Sequence, residues 1–309
     1  MAGAPKWLPS LAPAAQARAR VISAVVEHHD ALHRLQEGGS PDRRWGDMND
    51  CSTVMVDRTK AWFAAKSPPK AYGGGDGAVF WAMNVNANQV IFWLVWYAYS
   101  QPGLLQELRD EVAPCVKPGV STDGAAHIDM DSLWKYCPLL KGAFFETMRI
   151  EAASMSYKQA EQDFVVRESL DDAKLLGRSE PQSFEIEKGE YICIPHVVHQ
   201  SDGRYFRDPD RFNPRRFWVH DANTAGNAGK QNNVTVDYKT MKVWGGGKQL
   251  CKGKTFAERE VVLFAAAVIS AWEMEPVNGQ WEHPGRVPTA GTHVPKKDVR
   301  VRMWKREGW

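Results

Sequence analysis

The sequence predicts a mainly α-helical protein with small β-sheets between the helices. Long segments of the 309-residue chain place apolar residues at helical spacing. Short β-like runs, separated by glycines and charged turns, begin only after Asp163. The composition, 43% hydrophobic and 25% charged, is that of a globular protein large enough to bury a sizeable core.

Turn and helix-breaking residues set the limits of these elements. Helices are predicted over residues 14–35, 78–100, 104–112, 131–150 (with an interruption near Pro138) and 255–272. Strands are predicted over residues 164–166, 184–187, 191–194 and 299–304, and a polar surface loop over 220–233. No internal repeat is visible. The apolar runs Val90–Tyr99 and Val261–Trp272 fall short of the ~20 residues that span a bilayer, and the N-terminus has no signal-peptide core. We therefore expect no membrane anchor in this chain.

Charge and cysteine content exclude several functional classes. A net charge of +2 gives no reason to expect a nucleic-acid partner. Five cysteines, none in a CxxC pair, fit neither a zinc site nor a disulfide framework, so mostly free, buried thiols in a reducing compartment are expected. His29 and His33 are four residues apart and could share a helix face as metal ligands. Since no third ligand is apparent, a solvated helix face is the favoured interpretation.

One cysteine lies in a distinctive context, the segment WGGGKQLCKG at residues 244–253. Cys251 directly precedes a predicted helix, whose dipole and unpaired N–H groups lower a thiol pKa. The glycines let the backbone pass close to a flat cofactor and adopt positive φ. Backbone N–H groups of such a loop can donate hydrogen bonds to a metal-bound sulfur. These features predict that Cys251 is a thiolate ligand to a metal.

Two other interpretations of this segment compete. An inert, buried cysteine at a helix start would explain Cys251 but not the glycines around it. A phosphate-binding loop is suggested by Gly253-Lys254-Thr255, which matches the end of GxxxxGK[ST]. That motif requires glycine at position 248, which is Lys248, and Gly247 lies one residue too early.

The segment resembles the FxxGxxxCxG haem-binding signature of the cytochrome P450 family, with Trp244 in the Phe position and Gly247, Cys251 and Gly253 at the other conserved positions. Two more motifs of that family occur in its order. ETMR at 146–149 resembles the ExxR helix, and PDRFNPRRF at 209–217 resembles the PxxFxPxRF segment. ExxR alone is a common helical ion-pair spacing, but all three together are specific. The resemblance covers roughly residues 70–305.

The resemblance implies haem b with Cys251 as the axial iron ligand. It also implies that Glu146, Arg149 and Arg216 form a charge-paired network that holds the cysteine loop. Arginine suits this role because its planar fork binds a carboxylate bidentately.

Three positions depart from the family pattern. Gln249 replaces a basic residue that normally faces a haem propionate. Lys158 lies where relatives often have a propionate-binding arginine, although a solvated surface lysine is equally compatible with the sequence. In the apolar helix the usual acid–alcohol pair is absent, and Asn86 occupies the threonine position. This resembles the branch with prostacyclin synthase and the sterol 7-alpha-hydroxylases, so Asn86 is a candidate distal-pocket residue. The alternative is that the helix asparagines only make local hydrogen bonds at a kink.

The chain is identified as the C-terminal part of the cytochrome P450 fold, with the N-terminal part missing or shortened. We divide it into an N-terminal helical segment, 1–69, and a haem-binding core, 70–309. The resemblance, in a sequence of fungal character, implies a monooxygenase that oxidises a sterol, terpenoid or other apolar secondary metabolite. The resemblance implies NADPH–cytochrome P450 reductase as a partner and an intracellular location in association with the endoplasmic reticulum, and it is compatible with membrane contact. The alternatives are a haem-thiolate isomerase or dehydratase that needs no external electrons, a truncated haem-binding protein without activity, and a non-haem phosphate-using enzyme.

Overall fold

The fold is described from a computed structural model, which describes residues 12–40, 43–119, 126–220, 234–238, 241–287, 289 and 291–309. Within these residues helices dominate and the sheets are small, so the predicted fold class is confirmed. The predicted surface loop lies outside the described residues, except for His220, which ends a strand.

Nine helices are longer than a single turn of 3₁₀ helix in the described part of the chain. They are α1 (Ala12–Gln36), α2 (Thr53–Ala64), α3 (Pro69–Ser100), α4 (Leu104–Val112), α5 (Met130–Tyr136), α6 (Pro138–Glu151), α7 (Leu170–Leu175), α8 (His196–Gln200) and α9 (Lys254–Ala271).

The strands of the described residues pair two by two, and every pair is antiparallel. The pairs are β1 (Val116–Lys117) with β2 (His127–Ile128), β3 (Met155–Gln159) with β6 (Tyr191–Pro195), β4 (Phe164–Arg167) with β5 (Ser183–Ile186), β7 (Trp218–His220) with β8 (Val234–Val236), β9 (Trp272–Pro276) with β12 (Val301–Lys305), and β10 (Arg286–Val287) with β11 (Val294–Pro295).

Most predicted elements agree with the structure to within a few residues, and the region 131–150 is two helices rather than one. Pro138 is the first residue of α6, where its missing N–H costs nothing because the first N–H groups of a helix have no intrahelical acceptor. The predicted strand near the C-terminus is β12, paired along its whole length with β9.

The chain divides into two compact units, Met1–Val85 and Asn86–Trp309. This division falls inside α3, whereas the boundary predicted at 69/70 coincides with the start of that helix. The division into a segment 1–69 and a haem-binding core 70–309 stays a prediction.

In the first unit, α3 begins nine residues earlier than the sequence suggested, because its glycines are packing positions rather than breaks. A Cβ at Gly73 would lie 2.6 Å from Cγ2 of Val26 and 3.0 Å from Cγ2 of Ile22. A Cβ at Gly75 would lie 3.3 Å from the Trp62 ring. Glycine therefore lets α3 approach α1 and α2 more closely than a larger residue would.

The interpretation of the histidine pair as a solvated face is wrong for His29, which is fully buried. Its Nδ1 lies 2.8 Å from Oγ1 of Thr59, and its Nε2 lies 2.8 Å from Oδ2 of Asp76. Burial raises the pKa of Asp76, but hydrogen bonding to Arg58 outweighs it and holds that pKa below the usual value. His33 is half-buried and stacks on a phenylalanine ring 3.8 Å away. The pair thus contributes to the packing of the first unit.

In the second unit the core forms around α6, with the second half of α3 and helices α4, α5 and α9 contributing to it. Nearly every side chain of α6 is buried, as expected of a central core helix. Trp93, Leu140 and Phe144 are among the fully buried side chains. Packing therefore holds both ends of α6 in place, and with them the charged side chains of this helix.

Among the described helices, α3 alone is long enough and has a mean hydropathy high enough to cross a membrane. A core helix of a folded domain meets the same criteria, and the second half of α3 is buried in the second unit's core.

Candidate functional site

Cys251 is solvent-exposed and lies at the end of a tight loop that leads into α9. Its backbone N–H donates to the carbonyl oxygen of Trp244 at 2.9 Å, which closes the loop at its base. Gly245 and Gly247 have φ of +72° and +62°, values that residues with a Cβ rarely adopt. The predicted glycine requirement is therefore met at two positions of the loop.

The loop also leaves room beside its backbone. A Cβ built at Gly246 or Gly247 would meet no atom within 4 Å, and one built at Gly253 would lie 3.9 Å from Sγ of Cys251. Helix α9 starts at Lys254 without a side-chain N-cap, so the positive end of its dipole lies close to the sulfur. The space beside the loop suits a flat group.

Trp244 supplies a separate indication. Its indole Nε1 is buried and has no hydrogen-bond acceptor within the described part of the chain. Buried donors are almost always paired, so an orphaned indole N–H indicates an acceptor from outside the chain. A haem has propionate oxygens that accept hydrogen bonds, so Cys251 and Trp244 together have the donor chemistry that haem requires. The side chain of Gln249 lies outside the described residues.

The predicted charge network is present as a set of contacts around Glu146, which is fully buried. Arg149 donates to both of its carboxylate oxygens at 2.9 Å, and Arg216 Nε lies 3.0 Å from each. The backbone N–H of Asn213 adds a fourth donor at 3.1 Å. A buried carboxylate with this many charged and polar donors is well compensated for its desolvation.

This network holds the chain segment between α8 and β7. Arg149 donates to the carbonyl oxygens of Gln200 and Pro209 at 2.7 and 2.6 Å. Arg216 donates to three more carbonyls in the turn at 207–211. No hydrogen bond of the described residues joins the Glu146 network directly to the loop at 244–253. Any support that it gives to Cys251 is transmitted through the packed elements around it.

Strands β7 and β8 connect this region to α6 by packing and hydrogen bonds. The indole N–H of Trp218, at the start of β7, donates to the carbonyl of Pro138 at the start of α6. Strand β8 pairs with β7, and Tyr238 just beyond it stacks on Phe145 of α6 at 4.0 Å between ring centroids. The segment that leads towards the cysteine loop is thus packed against the helix that contains Glu146.

Asn86 is exposed on α3, and its Oδ1 accepts a hydrogen bond from the backbone N–H of Thr292 at 3.2 Å. Its neighbour Asn84 makes the local hydrogen bond that the kink interpretation predicts, from Nδ2 to the carbonyl of Phe80 at 2.8 Å. The two asparagines therefore differ, because among the described residues Asn86 hydrogen-bonds to a residue distant in sequence and Asn84 to one in its own helix.

Lys158 lies on β3 opposite Ile192 and is half-buried. It lines an open cleft of about 430 Å³ together with Phe164 and the turn after β3. Its assignment to a propionate stays a prediction.

Sequence reasoning missed Glu151, which lies five residues after Glu146 and is also fully buried. Arg286 donates to it from Nε and Nη2 at 2.8 Å each, and the Tyr97 hydroxyl donates at 2.7 Å. Nδ1 of His293 lies 3.3 Å away. These partners are remote in sequence and belong to none of the three family motifs, so no local pattern identifies the cluster.

A mainly helical fold in which a glycine loop presents a cysteine ahead of a long helix is the arrangement expected of a haem-thiolate protein. The sequence matches the family "Cytochrome P450" over residues 79–301. The chain belongs to the cytochrome P450 family, and the resemblance found in the sequence is confirmed.

Similar proteins include fungal and mammalian members of this family. The chain is 26% identical to the cytochrome P450 monooxygenase poxD of Penicillium oxalicum, over 76% of this chain and 44% of that protein. It is 28% identical to the cytochrome P450 monooxygenase nodJ of Hypoxylon pulicicidum, over 62% of this chain and 35% of that protein. It is 24% identical to the prostacyclin synthase of Rattus norvegicus, over 72% of this chain and 43% of that protein. The chain spans less than half the length of these relatives.

Proposed function

We propose that this chain is the haem-binding part of a haem-thiolate monooxygenase that oxidises an apolar small molecule. The observation that carries the proposal is Cys251, exposed at the end of a glycine loop and directly ahead of α9. Family membership and the monooxygenase names of similar fungal proteins support it.

In this proposal Cys251 holds the iron of haem b, and Trp244 donates its unpaired indole N–H to a propionate. Gly247 and Gly253 would let the loop backbone approach the porphyrin, and Lys158 would add a cation for a propionate. When bound, the haem supplies an iron that activates O₂, and the thiolate ligand favours O–O cleavage.

Asn86 is proposed to line the distal side of the pocket. Since its Oδ1 already accepts the Thr292 N–H, the orientation of its amide is set. Its Nδ2 donates no hydrogen bond within the described residues, which leaves it able to donate to an oxygen of the substrate. An amide neither gains nor loses a proton near neutral pH, so Asn86 orients an oxygen rather than delivering protons.

The overall reaction consumes O₂, two electrons and two protons, and yields one hydroxylated product and one water. The electrons would come from NADPH through NADPH–cytochrome P450 reductase. The substrate would be a sterol, terpenoid or other secondary metabolite. Association with the endoplasmic reticulum is proposed with the reductase, because similar mammalian proteins include sterol hydroxylases and prostacyclin synthase.

The test supplies haem-loaded protein with the reductase, NADPH, isotopically labelled O₂ and a panel of sterols and terpenoids. The proposal predicts a product with one labelled oxygen atom, formed only when NADPH and the reductase are both present. A product without label, or one formed without NADPH, contradicts it.

A second candidate is a haem-thiolate isomerase or dehydratase, which rearranges a peroxide without external electrons. Asn86 favours this candidate, because it replaces the acid–alcohol pair expected of an oxygen-activating member. The similarity to a prostacyclin synthase points in the same direction. Conversion of a lipid peroxide at equal rates with and without NADPH would select this reaction.

A further inference from the structure

The Glu151 cluster (Glu151, Tyr97, Arg286 and His293) lies apart from the Glu146 network and has different partners. Glu146 contacts Arg149, Arg216 and the Asn213 N–H, none of which contacts Glu151 in the described structure. Glu151 ends α6, whereas Arg286 and His293 belong to the β10–β11 hairpin. Two buried carboxylates on one helix therefore hold two different parts of the chain.

The Glu151 cluster fixes one short segment, Gly291–His293, against the end of α6. The His293 N–H donates to the Glu151 carbonyl at 2.8 Å, and the Ala153 N–H donates to the Gly291 carbonyl at 2.7 Å. The carbonyl of His293 accepts the indole N–H of Trp93 at 2.8 Å. The backbone of this segment is thus bonded on one side to α6 and on the other to α3.

The Gly291–His293 segment lies so close to Asn86 that a Cβ at residue 291 would displace the Asn86 amide. A Cβ at Gly291 would lie far inside van der Waals contact with Oδ1 of Asn86. Thr292, the next residue, donates its N–H to the same oxygen at 3.2 Å. The direction in which the Asn86 amide points therefore depends on where this segment lies.

Charge and burial explain why the anchor is a carboxylate. Glu151 is fully buried, while the Arg286 side chain is 37% exposed and lies over the Trp93 ring at 5.8 Å. Burial alone would favour a neutral acid, yet hydrogen bonds from His293, Arg286 and Tyr97 outweigh it and hold the pKa of Glu151 below its usual value. An ionised Glu151 accepts from all its donors at once, which a neutral residue does less well.

We propose that Glu151 is a positioning residue which, through the Gly291–His293 segment, sets the orientation of the Asn86 amide. This inference rests on the distal role proposed for Asn86. In this proposal the Glu151 cluster controls how a ligand on the distal side of the haem is held. The Glu146 network has a different role, which is retention of the haem.

The first test uses the haem-free chain and needs no catalytic activity. Hydrogen–deuterium exchange is measured at the amides of Gly291, Thr292 and His293 in Glu151→Gln, with Glu185→Gln, an exposed strand glutamate, as control. Exchange about tenfold faster in Glu151→Gln, with the control unchanged, is expected because the variant weakens the side-chain contacts of Glu151 with His293 and Arg286, although the backbone bonds of the segment remain. Unchanged protection in Glu151→Gln overturns the proposal.

The second test uses haem-loaded protein and two probes, imidazole and 4-phenylimidazole, titrated by absorption spectroscopy. Glu151→Gln and Asn86→Ala should each change the affinity for 4-phenylimidazole by about threefold or more. The double variant should show the same change as either single variant, because Glu151 acts through Asn86. Under the proposed distal role Asn86 contacts the phenyl ring of the larger probe, so the affinity for imidazole, which lacks that ring, and the haem content should stay at wild-type values. Gly291→Ala, which displaces the Asn86 amide directly, should reproduce the effect and serves if Glu151→Gln folds poorly.

Equal changes for both probes, additive effects in the double variant, or loss of haem from Glu151→Gln would mean a merely structural role and overturn the proposal. Failure of the proposed function has a different signature. If the chain binds no haem, neither probe gives a spectrum even in the wild type, and if the reaction is another one, the labelled-oxygen test fails; in both cases the exchange experiment still reports on Glu151.

Discussion

At the residue scale, the second unit contains buried charges whose partners come from distant parts of the chain. Glu146 is fully buried, and Arg149, its nearest partner, has a side chain that is 1% exposed. Such pairs contribute little net stability when complete, but removing one partner leaves an uncompensated buried charge. The ExxR spacing predicted the pair because positions three apart share a helix face. The sequence did not reveal which carbonyls the arginines bind, since these lie 51 and 60 residues away from Arg149.

The first prediction concerns this pair. Glu146→Ala strands Arg149 in the core and should lower the free energy of unfolding by about 3–5 kcal/mol, with loss of haem on purification. Urea unfolding and the ratio of haem to protein measure the two effects. Glu185→Ala, on an exposed strand, is the control. Normal haem content in Glu146→Ala would show that the network does not support the cysteine loop.

The second prediction concerns Glu111 at the end of α4. Its carboxylate accepts the N–H groups of Leu139 and Leu140 at 2.7 and 2.8 Å, in the first turn of α6. Burial outweighs these hydrogen bonds and raises the pKa of Glu111 to about 7. The folded state thus takes up a proton more readily than the unfolded state, whose carboxyl titrates at its ordinary pKa of 4.5. Stability from this group is complete below pH 4.5 and is lost as the pH rises through about 7.

Relative to Glu111→Gln, the wild type should therefore lose on the order of 1–3 kcal/mol of unfolding free energy between about pH 5 and pH 8. Urea titrations at the two pH values, with Glu185→Gln as control, measure this difference. A wild type whose stability relative to the Gln variant stays constant or rises over this range would show that folding does not raise the pKa of Glu111.

At the scale of elements, local signals predicted helices and strands well, and their errors have specific causes. Proline at the start of α6 and Gln101-Pro102-Gly103 after α3 act within a few residues, so they are readable from sequence. The glycines at 73–75 suggested a break but serve close packing within the first unit, which depends on partners elsewhere in the chain. His29 was assigned to a solvated face for the same reason, because its partner Asp76 is 47 residues away.

The third prediction concerns the contact between α6 and the segment that follows the Arg216 turn. A Cβ at Gly142 would overlap the carbonyl oxygen of Pro214 and lie 3.2 Å from the Trp218 indole nitrogen. Gly142→Ala should therefore destabilise the protein by about 1–3 kcal/mol or more, because backbone on both sides has to shift. Gly74→Ala is the matched control, since a Cβ there meets no atom within 4 Å. That control should be neutral or stabilise by about 0.5–1 kcal/mol through helix propensity.

Thermal or urea unfolding of the two alanine variants separates these effects. If Gly142→Ala were as stable as Gly74→Ala, α6 and the segment around Pro214 would not be packed as the structure has them.

At the scale of the whole molecule, family motifs predicted more of the candidate site than periodicity did. Cys251, Trp244 and the glycines lie within ten consecutive residues, so one motif reveals them all. The fold class and the three motifs were therefore readable from sequence. The Glu151 cluster was not, because Arg286 lies 135 residues away and the contact arises only when the β10–β11 hairpin meets the end of α6. Support for the cysteine loop is also a property of the packed molecule, since no described hydrogen bond joins that loop to Glu146.

The most direct test of the central claim, thiolate ligation of haem by Cys251, is the absorption spectrum of the reduced, CO-bound protein. The wild type should show the strongly red-shifted Soret band of a thiolate-ligated haem, because the anionic sulfur donates electron density to the iron. Cys251→Ser should lose that shift, while Cys193→Ser, which removes the other exposed thiol, should keep it. A fully red-shifted band in Cys251→Ser, or no shifted band in the wild type despite bound haem, would contradict the account.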